Sequence, residues 1–272
     1  MEHKFYIGDN VEVLKECVQD ESIDLTVTSP PYDDLRTYKG FEWDIDGVIE
    51  QLWRVTKDGG VVVWVVGDKT HKGSETGTSF RTALKFMDYG WRLHDTMIYH
   101  KNNPTPMQGK RYQQTFEYMF VFSKNTPKTF NPITTEKKYM ENRKNKQYNK
   151  NTEGKQIVRE YKAESKQRTL RNIWSYSVGL HHTTKDRHAF THPAIFPEQL
   201  VEDHILSWSN EGDIVLDLFG GSGTVAKVAE LNKRNSIYID ISEEYCTDIA
   251  IPRLNEYKDE NSVVSIENKE KA

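Results

Sequence analysis

Apolar positions in the first quarter of the chain fall into short runs separated by polar turns, a spacing that predicts strands alternating with helices. Phe5 to Ile7 begins a short strand, Asn10 to Gln19 fits a helix capped near Asp9 or Asn10, and Ile23 to Val27 forms a second apolar strand. That strand runs straight into Ser29-Pro30-Pro31. Two prolines cannot continue a central ladder, so the chain must leave the sheet there and present backbone carbonyls that no ladder partner occupies. Residues 33 to 44 read as a loop, followed by a helix ending near Lys57-Asp58-Gly59-Gly60. Val61 to Val66 is a continuous β-branched run, the pattern of a strand buried on both faces.

Ser79 to Asp88 reads as a helix closed by Gly90, and Trp91 to His100 and Thr115 to Ser123 as aromatic-rich strands, the second able to return antiparallel beside the first. Beyond Lys124 the periodicity dissolves until about Thr191, where Asn, Lys, Gln and Tyr interleave. It resumes with a helix from Pro197 to Trp208, a strand at Ile214 to Asp217, a glycine-rich turn and a helix at Val225 to Leu231. A strand at Ser236 to Ile239 and a helix at Glu243 to Tyr257 follow, and residues 258 to 272 read as a polar tail. This βαβ cadence predicts a largely parallel sheet covered on both faces, with ligand sites at the carboxyl ends of its strands.

The expected organisation is therefore an α/β half at 1–124, which holds Ser29-Pro30-Pro31, a basic insertion at 125–190, a second α/β half at 191–257, which holds the glycine-rich turn, and the tail at 258–272. A length of 272 residues supports one sizeable core with a smaller module. No apolar run reaches membrane-spanning length and the start has no signal-peptide pattern, so a soluble, cytoplasmic protein without membrane contact is expected. Cys17 and Cys246 are too few for a disulfide framework and read as small buried hydrophobes. The formal net charge of -4 argues weakly against a nucleic-acid partner, but its distribution says more. From Lys124 to Arg171 there are 14 Lys and Arg against 5 Asp and Glu, so this stretch carries +9 and the rest of the chain -13. Such asymmetry would orient the molecule on a polyanion; a solvated, partly disordered loop is the competing reading.

Two short motifs carry the chemistry. In Asp217-Leu218-Phe219-Gly220-Gly221-Ser222-Gly223-Thr224, a strand ends in a carboxylate, glycines turn the chain tightly and a helix begins. This lets backbone approach a ligand at a helix N-terminus. Asp240, 23 residues after Asp217, ends the next strand, the place for a carboxylate that receives two ribose hydroxyls. The turn lacks the Gly-x-Gly-x-x-Gly of dinucleotide sites and the chain lacks a triphosphate loop. A nucleoside-containing ligand and a purely structural βα turn both remain open at this point. In the second motif, Ser29-Pro30-Pro31-Tyr32, Ser29 Oγ and the Pro30 carbonyl can accept both hydrogens of an exocyclic base amine. The Tyr32 ring offers a stacking face for an extruded base. Acceptors so placed favour a pyramidal nitrogen and free its lone pair. A rigid strand exit with a buried tyrosine is the structural alternative.

Asp217 to Thr224 resembles the signature Asp-x-Phe-x-Gly-Ser-Gly-Thr of S-adenosylmethionine (AdoMet)-dependent amino methyltransferases at every specified position, and Ser-Pro-Pro-Tyr resembles their catalytic motif. The catalytic motif precedes the cofactor motif, which resembles the permuted β-type order of N4-cytosine and N6-adenine DNA methyltransferases. The resemblance spans about 200 residues and implies a Rossmann-like, circularly permuted α/β fold with a mostly parallel sheet and one antiparallel strand. It implies AdoMet as cofactor, held by Asp217, Phe219, Gly221, Ser222, Gly223, Thr224 and Asp240. His192 and Phe196 of His192-Pro193-Ala194-Ile195-Phe196 would lie against its methionine part, and Asp9 near its adenine, unless Asp9 only caps the first helix.

The resemblance also places target recognition in the insertion and duplex DNA as the partner. Candidate DNA contacts are Arg36 (alternatively paired with Asp33 or Asp34), Lys110, Arg111, Lys137, Lys138, Arg143, Lys144, Arg159, Lys166, Arg168 and Arg171, which sequence cannot sort into base and phosphate contacts. Serine at the head of the catalytic motif is the form usual for N4-cytosine enzymes; N6-adenine methylation and a non-catalytic DNA-binding protein are the alternatives. Cytosine C5 chemistry needs a cysteine nucleophile that neither Cys17 nor Cys246 supplies. No metal is expected, since His181-His182 and His188 lack completing ligands. A homodimer and a cognate restriction endonuclease are compatible with the family, although no sequence feature identifies either.

Overall fold

The computed structural model describes every residue except 32–43, 105, 107–109, 137–143, 163–166, 180–181, 193–194, 196 and 270–272. The first half of the chain forms β1 (Glu2–Ile7), α1 (Asn10–Cys17), β2 (Ile23–Thr28), α2 (Ile45–Val55), β3 (Thr56–Val66), a small hairpin of β4 (Thr70–His71) and β5 (Ser74–Glu75), α3 (Thr78–Tyr89), β6 (Arg92–Lys101) and β7 (Phe116–Ser123). Four short strands follow, β8 (Thr134–Glu136), β9 (Lys144–Lys150), β10 (Gln156–Lys162) and β11 (Gln167–Thr169), then β12 (Ile173–Tyr176). A 3-10 turn (His188–Thr191) leads to α4 (Glu198–Trp208), β13 (Ile214–Asp217), α5 (Thr224–Leu231), β14 (Asn235–Asp240), a π-helical segment (Tyr245–Ala250), α6 (Ile251–Asn255) and β15 (Val263–Asn268).

The chain divides into two units, Met1–Asn131 with Asn172–Ala272, and Pro132–Arg171. The larger unit is built on a nine-stranded sheet of order β12-β6-β7-β3-β2-β13-β14-β1-β15. Among its described strands β7 alone runs antiparallel to its neighbours β3 and β6. Strand alternation explains the uninterrupted Val61–Val66 run. Val62, Trp64 and Val66 join a core cluster with Leu14, Ile49, Leu52 and Phe86 of α1, α2 and α3. Val61, Val63 and Val65 face a second cluster with Leu200, Val201 and Ile205 of α4 and Val225 and Val228 of α5. Both faces of the strand are therefore dry, and the fold is a three-layer α/β/α arrangement.

Several expected boundaries move. Residues 56–60 belong to β3 rather than to a helix: the register shifts between Ile23↔Thr56 and Leu25↔Val61, and the Gly59 and Gly60 backbone bonds to Lys124. Lys57 Nζ meets both Asp24 carboxylate oxygens at 2.7 Å, which holds this bulged segment to β2. The expected helix from Glu243 to Tyr257 is interrupted by a π segment just before Pro252, which has no N–H to continue an i→i−4 ladder.

The tail is not a coil throughout, because β15 adds in parallel to β1 from Glu2↔Val263 to Ile7↔Asn268. An edge strand needs only one ladder and little burial, so its short Val-Val-Ser-Ile run leaves a weak sequence signal. The stretch beyond Lys124 is likewise richer in strands than its polar composition suggests. Its compact part is Pro132–Arg171, and β12 belongs to the main sheet beside β6. Cys246 is buried and Cys17 half-buried. Among the described residues no helix is long and apolar enough to cross a membrane.

Candidate active site

The carboxyl ends of β2, β13, β14 and β1 lie side by side in the sheet. Pairing of Leu25 with Val215 and of Thr26 with Leu216 brings the Ser-Pro-Pro exit of β2 beside the glycine loop that follows β13. The two motifs are then joined directly, since Thr28 Oγ1 donates to Asp217 Oδ1 at 2.7 Å. Pro30 is buried, and Ser29 and Pro31 are half-buried at this exit. Tyr32 and Arg36 lie outside the described residues.

The loop is shaped by what its glycines permit. A Cβ on Gly220 would sit 2.1 Å from the Tyr238 ring, so β14 and the loop approach more closely than any side chain allows. Gly223, the N-cap of α5, has φ 73°, a left-handed conformation that costs other residues energy. Gly221 donates its N–H to Asp240 Oδ2 at 2.8 Å and accepts from the Tyr238 hydroxyl at 2.9 Å. His192 is buried against Gly221, within 2.8 Å of where a Cβ would stand, and its ring meets Tyr245 edge-on at 4.5 Å. Phe219 packs edge-on against Trp64. Ser222 and Thr224 hydroxyls lie 3.2 Å apart. Asp9 caps α1, accepting from Val11 and Glu12, while Gly8 donates to the Asp240 carbonyl at 3.0 Å, so the Ile7-Gly8-Asp9 turn closes one side of the same ridge. Phe196, Pro193 and Ala194 lie outside the described residues.

Two carboxylates at these strand ends are held uncomfortably. Burial pushes the Asp217 carboxyl up to about 7, although Thr28 and the Phe219 N–H donate to it, and the nearby Asp240 charge pushes the same way. Loss of solvation also raises Asp240, against the N–H groups of Ser242 and Gly221. Neither carboxylate makes a salt bridge among the described residues. A ligand bringing hydroxyl donors and positive charge is what this pair lacks, and AdoMet brings both, so the residues present fit it.

A second polar cluster, which the sequence did not announce, supports the loop from behind. Arg253 is fully buried and donates to the Ser222 carbonyl at 3.0 Å and the Thr224 hydroxyl at 2.9 Å. Its guanidinium also meets Asp186 at 2.6 Å and pairs with Glu198. Lys227 reaches Asp186 at 2.7 Å and Glu198 at 2.8 Å, and the Tyr257 hydroxyl donates to Asp186. Burial alone would raise Asp186, but Lys227, Tyr257 and Arg253 hold it well below the usual carboxylate range. The one sequence hint is local: Arg253 and Lys227 each sit in an otherwise apolar helical stretch, where a charge must find a partner.

The remaining predicted positions are dispersed. Lys110 and Arg111 are exposed, but Arg111 contacts Glu75 and the Gly73 carbonyl and so braces the β4–β5 hairpin. In the smaller unit Lys144 begins β9, Arg159 is exposed on β10, Arg168 on β11, and Arg171 closes the unit. Lys137, Lys138, Arg143 and Lys166 lie outside the described residues. Among the described residues no cluster of three or more His, Cys, Asp or Glu could hold a metal ion.

A Rossmann-like sheet with a glycine loop, a carboxylate on the following strand and a proline-rich strand exit beside them defines a methyltransferase of the AdoMet-dependent class. The DNA methylase family model for N6 and N4 amino methyltransferases matches residues 23–251, and the chain belongs to that family. It is 55% identical over 254 residues to the orphan methyltransferase M.BamHII of Bacillus amyloliquefaciens, covering 90% of this chain and 93% of that one. Among solved structures, it resembles the cytosine-N4-specific PvuII DNA methyltransferase, with a TM-score of 0.70, 22% identity, and coverage of 96% of this chain and 88% of that one. It also resembles M1.HpyAVI in its SAM complex, with a TM-score of 0.60, 22% identity, and coverage of 93% and 100%. At that identity these structures speak for the fold. The chain is thus a DNA methyltransferase of the N6/N4 family, whose cofactor is AdoMet.

Proposed function

We propose that this enzyme methylates the exocyclic N4 amine of cytosine flipped out of duplex DNA. The observation that carries the reading is the 2.7 Å bond between Thr28 and Asp217, which ties the Ser29-Pro30-Pro31 exit of β2 to the glycine loop. Bound AdoMet supplies an electrophilic methyl on a sulfonium, and the protein's task is orientation and charge placement. Asp217 and Asp240 face the cationic and ribose parts of the cofactor, His192 and Phe219 flank it, and Asp9 stands at its adenine end. Ser29 Oγ and the Pro30 carbonyl accept the two amine hydrogens, and Tyr32 stacks on the extruded base. After transfer the methylated nitrogen releases one amine proton to solvent, which removes the positive charge it would otherwise carry.

Serine rather than aspartate at position 29 favours cytosine N4 over adenine N6. The likeness to a relative named an orphan methyltransferase favours an enzyme that marks DNA without a dedicated nuclease. Nucleoside mass spectrometry of duplex DNA after incubation with isotopically labelled AdoMet tests the assignment. Labelled N4-methylcytosine is expected; labelled N6-methyladenine would keep the pocket and overturn the base.

A further inference from the structure

The smaller unit contains a fully paired two-stranded ribbon, β9 with β10, in register from Lys144↔Lys162 to Lys150↔Gln156. Its connection is tied by Asn151 Oδ1, which accepts from the Glu153 and Lys155 N–H groups. Strand residues alternate between faces with period two. The β9 sequence is Lys-Asn-Lys-Gln-Tyr-Asn-Lys, so this alternation separates two chemistries. One face carries Lys146 and Lys150, with Tyr148 opposite Val158. The other carries Asn149 opposite Ile157, and Arg159.

The described side chains on both faces are exposed, including Tyr148 at 61% and Val158 at 48%, and an isolated two-stranded ribbon is marginally stable in water. A surface of this kind gains stability from a partner. The two faces ask for different parts of one polyanion. Ammonium groups neutralise phosphates without reading sequence, whereas amide and guanidinium groups present the paired donors and acceptors that recognise adenine and guanine edges. A major groove about 12 Å wide admits a two-stranded ribbon. With strands about 4.8 Å apart, lysine stems at its margins can extend to the phosphates that line the groove.

We propose that this ribbon is the sequence-reading element. Its amide and arginine face, with Asn149 and Arg159, is set toward base edges in the major groove, and its lysine face, with Lys146 and Lys150, supplies phosphate contacts. The inference rests on duplex DNA being the substrate. It sorts residues that composition alone treats as one basic patch.

The test uses the full chain, labelled AdoMet and a duplex library with a randomised segment, in which methylated molecules are sequenced to define the preferred site. Binding of a duplex carrying that site, and of one with the site scrambled, is then measured across a salt series. Asn149→Ala and Arg159→Lys should lower kcat/KM at the preferred site by roughly 5- to 150-fold, relax the preference at one base pair each, and leave the salt slope unchanged. Lys146→Ala and Lys150→Ala should weaken binding to both duplexes alike, keep the preferred site, and reduce the slope of log K against log salt by about 0.9 each. An AdoMet-induced thermal shift equal to that of the unaltered protein confirms that each variant is folded, and two residues on each face cover the loss of one variant. Unaltered preference in both Asn149→Ala and Arg159→Lys, or altered preference in the lysine variants, overturns the assignment of faces. If the unaltered protein labels no duplex DNA, the substrate reading itself falls.

Discussion

Two groups of carboxylates flank one glycine loop and are treated in opposite ways. Asp186 and Glu198, behind the loop, are matched by Lys227 and Arg253, and Asp186 is held strongly acidic. Asp217 and Asp240, at the strand ends in front, receive only neutral donors among the described residues, and both are pushed up by lost solvation. The rear cluster is complete within the chain and fixes the loop; the front pair is incomplete until something brings charge and donors. A protein keeps such a deficit where a ligand supplies the remainder.

The largest effect expected from breaking this contrast is in the rear cluster. Asp186→Ala leaves Lys227 and Arg253 with one carboxylate between them and should cost about 3–5 kcal/mol of stability in a urea titration. A loss below about 1 kcal/mol would mean that the cluster is not what holds the loop. Asp217→Ala should weaken AdoMet binding roughly 10- to 150-fold in calorimetry, the value of a charged hydrogen-bonding partner, with DNA affinity unchanged. Unchanged AdoMet affinity would displace the cofactor from this loop.

The Asp217 carboxyl near 7 gives a sharper test in the cofactor-free protein. Its folded value lies above the ordinary carboxylate value near 3.9, so its contribution to stability is complete below that value and lost as pH rises through about 7. Asp217→Asn should therefore be relatively more stable than the unaltered protein at pH 8 than at pH 5, seen as a flatter dependence of Tm on pH. Asp186 has the opposite sign: its contribution is present above the ordinary carboxylate value and is lost only as pH falls through its depressed folded value. Cofactor binding near pH 6 should release a proton from Asp217, measurable by calorimetry in buffers of different ionisation enthalpy. The smallest effect belongs to an exposed pair: Lys233→Ala, which removes the 3.2 Å contact to Glu211, should change stability by less than about 1 kcal/mol.

Much of this was legible in residue order. The valine run at 61–66, the strand ends at Asp217 and Asp240, and the punctuation by Gly and Pro are local signals, and they predicted the sheet, its covering on both faces and the glycine loop. Edge strands were not legible: β15 buries little, β12 has only Trp174 and Tyr176 against the core, and both have polar flanks, so their pairing is decided by the strand they join. In the ribbon, the Lys-Asn-Lys-Gln alternation was present in the sequence, but period two has no meaning until a partner strand fixes two faces.

By itself the chain determined which chemistry it carries, because a glycine turn ending in Ser-Gly-Thr and a Ser-Pro-Pro-Tyr exit depend on residue type at fixed local spacing. Only the tertiary structure decided that Thr28 meets Asp217, that Arg253 grips the loop from 29 residues beyond Thr224, and that Lys227 and Asp186 cancel each other's charge. Those contacts follow from strand order and helix packing. Their energies depend on distance and on exclusion of water, neither of which is a property of sequence separation.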